Sequence, residues 1–172
     1  MSLLFEAVKN NDLKTLKQAL KESWPAEDLA GALRNASEKG QIKQVKCLLS
    51  AGAYDEWAIV AAASFASVET VKLLYKRIGG DLNAALIGAA AHGRLETIRF
   101  LLTTPADSLD EALADAVLRK YPEIVKLLLN KGANPFAKVY GGQTATELAL
   151  RNGDREMIRL FGISEPDNLL KM

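Results

Sequence analysis

The sequence predicts an all-α fold, a solenoid of about six helical hairpins stacked one on the next. Residues 86–102 show the repeating unit, in which a helix of small residues ends at Gly93 and a second helix follows. Apolar residues recur at helical spacing on one face of that second helix, at Leu95, Ile98, Leu101 and Leu102. Glycine between the helices allows the left-handed backbone that ends a helix at low cost. The unit is therefore a helical hairpin.

The same hairpin recurs along the chain at fixed internal offsets. The six copies align on an alanine of the first helix: Ala7, Ala36, Ala62, Ala89, Ala116 and Ala149. Nine residues later each copy has an aliphatic residue: Leu16, Val45, Val71, Ile98, Val125 and Ile158. Self-similarity at this period is typical of a solenoid. Alanine is expected where neighbouring helices approach closely, because a larger side chain would hold them apart.

The repeats predict one domain over residues 1–172. Its hairpins are expected at about 3–21, 25–50, 56–76, 82–103, 109–131 and 144–161. The tail, 162–172, is too short for another copy, and Leu169 and Leu170 are expected to fold back over the last apolar face.

Helix starts and interhelical turns can be assigned from residue types. Ser108 with Glu111 three residues later predicts a capping box, and Asp55 and Asp81 are expected to accept hydrogen bonds from helix amides. At the six turns, Gly40, Gly93 and Gly153 suit a positive φ, Asn11 tolerates it, and Ala66 and Lys120 do not. The turns at Ala66 and Lys120 are therefore expected to be strained or built differently.

The last copy resembles the ankyrin repeat pattern. Residues 132–138 (Gly-Ala-Asn-Pro-Phe-Ala-Lys) match its glycine-alanine corner and β-turn, residues 142–149 match the start of its first helix, and 151–153 match the end of that helix. Second-helix matches at 93–102 and 123–133 help to extend the resemblance over about residues 4–161. The resemblance implies an ankyrin-like α-solenoid that binds another protein and has no chemistry of its own.

The chain departs from that pattern between its hairpins. Copies two to five lie 26 or 27 residues apart, whereas the family spacing is 33, and the missing residues fall where a β-turn finger would project. We therefore expect at most one full finger, between Lys131 and Thr144. The threonine-proline pair of the family is also absent, since Thr144 is followed by Ala145.

Composition argues against several classes of partner. A net charge of +1, with no run of five or six like charges, predicts no binding to nucleic acid or membrane surfaces. The first six residues do not resemble a signal peptide, and the most apolar run, 58–66, is half the length of a membrane span. We expect a cytoplasmic, intracellular protein, and delivery into another cell is left open.

Catalysis finds little support in the residue types present. The only cysteine, Cys47, and the only histidine, His92, fall on different predicted helices, which argues against a nucleophile–histidine pair. One cysteine and one histidine cannot form the usual zinc site, and no glycine-rich phosphate-binding motif occurs. We expect no enzymatic activity, no cofactor and no metal, with Cys47 as a small buried hydrophobe.

A basic residue follows the aligned aliphatic position in every copy. These residues form a predicted basic stripe: Lys17, Lys46, Lys72, Arg99, Lys126 and Arg159. Four of them have a glutamate three residues earlier: Glu69, Glu96, Glu123 and Glu156. The favoured interpretation is a solvated helix back with weak ion pairs, and nucleic-acid binding through the stripe is the less favoured one.

The resemblance places recognition on the finger and on the last exposed residues of each first helix. The candidate partner-binding residues are Trp57, Phe65, His92, Leu118, Arg119 and Arg151, with Tyr140 and Gln143 on the finger. An aromatic and an aliphatic anchor beside an arginine are typical of a protein-binding hot spot. The alternative is that Phe65 and Trp57 pack on neighbouring helices in place of the missing fingers.

Together these observations predict a scaffold that binds a partner protein or peptide on its concave face. The alternative is a self-associating structural or adaptor protein that uses its ends or its C-terminal tail. A monomer is expected, with a weak homodimer as the alternative state.

Overall fold

The computed structural model describes residues 2–163, with Tyr140 described by its backbone alone. These residues form twelve α-helices: α1 (Leu3–Lys9), α2 (Leu13–Ala19), α3 (Ala26–Glu38), α4 (Ile42–Ser50), α5 (Ala58–Phe65), α6 (Val68–Ile78), α7 (Leu82–Ala91), α8 (Leu95–Leu101), α9 (Leu109–Leu118), α10 (Pro122–Asn130), α11 (Ala145–Arg151) and α12 (Arg155–Leu160). The prediction of an all-α solenoid is confirmed. The expected packing of Leu169 and Leu170 falls outside the described residues.

The helices pack in two layers. The odd-numbered helices lie side by side in a first-helix layer, and the even-numbered helices form a second-helix layer on one side of it. Each odd helix also packs against the even helix that follows it. The six aligned alanines and the six aliphatic residues nine positions later are all at most 1% exposed, so the repeat positions form the core between the layers.

Neighbouring first helices approach closely at Gly88 of α7. A Cβ atom built there would lie 2.5 Å from the Ser64 hydroxyl oxygen of α5. Because that separation is far below van der Waals contact, a larger residue at position 88 would require the Ser64 side chain to move.

One backbone hydrogen bond closes five of the six hairpins. The carbonyl of the aligned alanine accepts from the amide five residues later: Ala7 from Asp12, Ala36 from Gln41, Ala89 from Arg94, Ala116 from Tyr121 and Ala149 from Asp154, at 2.8–3.0 Å. The residue before each donor has a positive φ: Asn11 at 53°, Gly40 at 66°, Gly93 at 71°, Lys120 at 61° and Gly153 at 61°. This bond is the long one of a Schellman motif, which ends a helix with a left-handed residue.

The third hairpin is closed differently. Ala66 has φ −102° and ψ −169°, an extended conformation that alanine adopts without strain. Its amide donates to the carbonyl of Ala62 at 2.8 Å, so the last helical bond is kept and the five-residue bond is missing. Both expectations for the unusual turns are therefore met, since Lys120 takes the strained conformation and Ala66 avoids it.

The predicted capping box at Ser108 is wrong. The side chain of Ser108 makes no capping hydrogen bond, and its ψ of 57° is far from the extended value of a capping residue. Its amide instead donates to Oδ1 of Asn83 at 3.3 Å. Asp81 does accept from the amide of Ala84, at 2.9 Å. A complete capping box occurs at Thr144, where the side chain of Glu147 accepts from the Thr144 amide at 2.9 Å and the Thr144 hydroxyl accepts from the Glu147 amide at 3.0 Å.

In three hairpins, a side chain of the first helix makes a hydrogen bond to the loop that follows the second helix of that hairpin. Nε of Arg34 donates to Asp55 at 2.8 Å, Nδ2 of Asn83 donates to Asp107 at 2.8 Å, and Asp110 accepts from the amide of Asn134 at 2.6 Å. Each bond fixes the start of the next hairpin relative to the previous one.

The finger predicted between Lys131 and Thr144 is present as a short turn. Lys138 and Thr144 form an antiparallel β-bridge, and the amide of Val139 donates to the carbonyl of Gln143 at 2.9 Å. The bridge brackets the 3₁₀ turn Tyr140–Gly142. It is the one isolated β-bridge among residues 2–163.

Cys47 is not the fully buried residue that the sequence predicts. Its side chain is partly exposed and lines a surface pocket between α2 and α4, together with Lys17, Leu20 and Lys46. The correction has a simple cause, because Cys47 lies on the side of α4 that faces the outer surface, two residues after the buried Val45.

The turn geometry predicts opposite effects for two glycine substitutions. Lys120→Gly should raise the free energy of unfolding by about 0.5–1 kcal/mol, since glycine removes the steric cost of a positive φ. Ala66→Gly should lower it by a similar amount, because the extended turn gains nothing from glycine and the unfolded chain gains freedom. Urea unfolding midpoints at unchanged m-values measure both effects. The same sign for the two variants would contradict the turn assignment.

Candidate protein-binding surface

Most of the predicted site residues lie at one end of the first-helix layer. Phe65, Leu118 and Arg151 are the last residues of α5, α9 and α11, while His92 and Arg119 directly follow α7 and α9. All five are exposed. Because consecutive first helices lie side by side and run in the same direction, these ends form one row across the layer.

Phe65 and His92 form the aromatic part of this row. Their ring centroids are 4.6 Å apart at an interplanar angle of 62°, an edge-to-face arrangement. A hydrogen bond fixes the orientation of the imidazole, since Nδ1–H of His92 donates to the carbonyl of Gly88 at 2.9 Å. Phe65 nevertheless remains 49% exposed. The pair is therefore an ordered aromatic surface rather than part of the core.

Arg94 caps the helix that ends at Phe65. Its guanidinium donates to the carbonyl of Ser64 at 3.0 Å through Nε and to the carbonyl of Phe65 at 3.0 Å through Nη2. The last carbonyls of a helix lack partners within the helix and carry partial negative charge. The bond that is missing at this turn would end on the carbonyl of Ala62, so Arg94 does not replace it. Arg94 instead gives partners to two later carbonyls of the same helix end.

Sequence reasoning missed Arg94, although its place in the repeat contains a usable signal. The residue directly after the turn residue reaches back toward the preceding hairpin in three copies. Nε2 of Gln41 donates to the carbonyl of Val8 at 3.0 Å, Arg94 caps α5, and the ring of Tyr121 lies over Gly93. A polar or aromatic side chain at this position therefore marks the contact between consecutive turns.

A groove between α9, α11 and the finger brings together three of the predicted residues. We call this cavity of about 140 Å³ the α9–α11 groove; it is lined by Ala114, Asp115, Leu118, Val139, Gln143, Leu148 and Arg151. Leu118, Gln143 and Arg151 were predicted from the sequence, whereas the other lining residues require the folded arrangement. Leu118 is 43% exposed, so the groove combines an accessible aliphatic wall with a polar edge.

The remaining predicted residues lie apart from both clusters. Trp57 is at the opposite end of α5 from Phe65 and is 47% exposed, and its amide donates to the buried Asp55 at 2.8 Å. The side chain of Tyr140 falls outside the described part of the structure. Phe65 and Trp57 are thus each partly packed and partly exposed.

The basic stripe lies on the second-helix layer, and all six of its residues are exposed. Arg99 lies 3.4 Å from Glu96 and Lys126 lies 3.2 Å from Glu123, both as i,i+3 pairs. The pKa of Glu69 lies below its ordinary value, chiefly because the Ser67 hydroxyl donates to it and in smaller part because Lys72 is near. These local partners are those of a solvated helix back.

Two negative findings apply to residues 2–163. No helix in this range has both the length and the apolar composition that a bilayer span needs. The same residues contain no group of three or more histidine, cysteine, aspartate or glutamate side chains placed to hold a metal ion.

The two-layer stack of helical hairpins, with exposed side chains along one row of helix ends, defines a helical-repeat solenoid. The family model for ankyrin repeats (3 copies) matches residues 59–139 and 86–168, which together exceed half of the chain. The chain belongs to the ankyrin repeat family, whose members are generally protein–protein interaction modules and typically not catalysts.

The comparison with solved structures supports the same fold. The chain is similar to the crystal structure of EF0377, an ankyrin repeat protein, with a TM-score of 0.75 and 24% sequence identity. The match covers 96% of this chain and 100% of that one. No curated protein sequence matches the chain significantly.

The capping role of Arg94 predicts a stability effect that an exposed arginine would not otherwise have. Arg94→Ala should lower the free energy of unfolding by about 1 kcal/mol or more, because two carbonyls lose charge-assisted hydrogen bonds. Arg99→Ala removes an exposed arginine of a surface ion pair and should stay within about 0.5 kcal/mol of the wild type. Equal effects of the two substitutions in urea unfolding would remove the capping assignment.

The edge-to-face contact predicts a spectroscopic signature at the only histidine of the chain. Phe65→Leu should shift the carbon-bound ring protons of His92 in the proton NMR spectrum, because the ring current of Phe65 is lost at a centroid separation of 4.6 Å. Tyr75→Leu, which removes an aromatic ring from α6, should leave those signals in place. Unchanged His92 signals in Phe65→Leu would show that the two rings are not in contact in solution.

Proposed function

We propose that the chain is a non-catalytic scaffold that binds a partner protein or peptide across the exposed first-helix layer, the concave face in the ankyrin family. The observation that carries this proposal is that Phe65 and Leu118 each end a first helix and stay nearly half exposed, at 49% and 43%. The proposed contact residues are those of the row, Phe65, His92, Leu118, Arg119 and Arg151, with Gln143 and Tyr140 on the finger and Trp57 at the other end of α5.

Pre-organisation supports this use of the row. The ring of Phe65 rests against His92, which limits its side-chain freedom, and Arg94 holds the backbone carbonyl of the same residue. Ordering a flexible side chain at an interface costs about 0.5–1.5 kcal/mol, and a held side chain avoids part of that cost. An aromatic anchor already in place is a suitable centre for a hot spot.

The α9–α11 groove supports a second contact point in the same row. Leu118 offers apolar surface, and Gln143 and Arg151 offer donors at its edge. Apolar contact would supply affinity, while polar groups around it would fix the register of the bound segment. Two spaced contact points favour an extended peptide or a helix laid across the layer.

The test is affinity capture from a lysate of the source organism with three forms of the protein. Phe65→Glu/Leu118→Glu places two charges on the proposed face, and Gln18→Glu/Tyr75→Glu places two charges on the second-helix layer as a matched control. Circular dichroism and thermal unfolding first establish that all three forms are folded. We expect proteins that are captured by the wild type and the control to be lost from the face variant by about tenfold or more.

The opposite pattern would overturn the proposal. Proteins retained equally by the face variant and the wild type would place the binding surface elsewhere. Proteins lost only from the control would move it to the second-helix layer.

A further inference from the structure

We propose that the α9–α11 groove recognises a partner segment in which one bulky apolar side chain is flanked by aspartate or glutamate. This inference rests on the function proposed above and adds the chemistry of the partner. It follows from the distribution of charge, because basic residues are concentrated near the groove although the net charge of the whole chain is only +1.

One basic residue lines the groove, and two more follow one of its lining residues in the sequence. Arg119 and Lys120 directly follow Leu118, and Arg151 forms part of the wall. All three are exposed, and none makes an ion pair with another described residue. Arg94, one hairpin away, adds a fourth positive charge beside Phe65.

The carboxylates of the same region are already engaged. Asp110 accepts from the amide of Asn134 at 2.6 Å, Glu147 from the amide of Thr144 at 2.9 Å, and Asp154 from the amide of Met157 at 3.2 Å. Each carboxylate is held at a backbone amide and keeps its negative charge there, and none of the three lines the groove.

Two further carboxylates lie on α9, and the basic residues near the groove outnumber the carboxylate that lines it. Asp115 is half-buried in the wall of the groove and has an interaction partner of its own. Glu111 lies seven residues before Leu118, about 10 Å along the axis of α9. Among the described residues, the groove is therefore lined by one carboxylate, Asp115, and one basic residue, Arg151, and Arg119 and Lys120 add two basic residues directly after Leu118.

The backbone conformation of Lys120 also supports the proposal. Among the five turns closed by the five-residue bond, four have glycine or asparagine at the positive-φ position, and only this one has a residue that is strained there. The closing bond requires a positive φ here, which glycine would supply without strain, so the presence of lysine points to a role for its side chain. Lys120 is exposed, and its positive charge directly follows Arg119.

The size of the groove suits one apolar side chain. Its volume of about 140 Å³ is close to that of an engineered apolar cavity, ~150 Å³, that accepts a benzene ring. Leu118, Val139 and Leu148 line it with aliphatic surface. An apolar anchor in the groove would place its sequence neighbours beside the basic groups, where carboxylates would gain favourable contacts.

The experiment is a selection of peptides from a phage library that displays random sequences, carried out on the immobilised full chain. We expect enriched peptides to combine leucine, phenylalanine or another large apolar residue with aspartate or glutamate on one or both sides. A synthetic enriched peptide should bind Arg119→Glu/Arg151→Glu about tenfold more weakly or worse, and Lys76→Glu/Arg77→Glu on α6, which has the same net charge, should bind as the wild type does. Higher salt should weaken the binding to the wild type.

The possible failures are distinguishable. Enriched peptides that are neutral or basic, but that lose binding in Phe65→Glu/Leu118→Glu, would overturn the acidic preference and leave the proposed function standing. Acidic peptides that bind Arg119→Glu/Arg151→Glu as tightly as the wild type would also overturn it. A selection in which no peptide depends on any of these face residues would overturn both.

Discussion

The hydrogen bond that closes a hairpin is the constraint on which the rest of the array depends. An alanine carbonyl accepts from the amide five residues later, and the residue directly before that amide must take a positive φ. This bond ends the first helix, reverses the chain and sets the second helix against the first. Because the same alanine has almost no side chain, the next first helix can then lie close beside it. Turn and stack are thus determined at one position of the repeat.

The candidate surface lies where this rule is broken. Ala66 does not adopt the left-handed conformation, so α5 ends without the five-residue bond, and Arg94 of the following hairpin donates to its last two carbonyls. This contact joins two hairpins through a side chain, and the end of α5 lies next to His92. An irregular repeat has therefore become the place where side chains are both fixed and exposed.

The periodic features could be predicted from the sequence because each rests on local spacing. The fold class and the buried repeat positions such as Ala89 and Ile98 are of this kind. The capping box at Ser108 failed because its backbone is held by Asn83, 25 residues earlier, which no local pattern reveals. Three of the seven residues that line the groove, Leu118, Gln143 and Arg151, were candidates from the sequence, whereas Val139 and Leu148 line it only once the finger has folded against α11. Residue types predict anchors, but the cavity between them depends on the tertiary arrangement.

The contacts between hairpins have one more consequence, which concerns folding. Among the described residues, the side-chain hydrogen bond with the greatest separation in sequence joins Gln44 to the carbonyl of Ala7, 37 residues away. A chain whose contacts are this local forms them quickly, and an array of such units opens from its ends while the middle stays folded. The α9–α11 groove lies against the last hairpin, one of the two units that have a neighbour on only one side among the described residues. A ligand bound there would bridge that hairpin to the previous one and so protect the end of the array from opening.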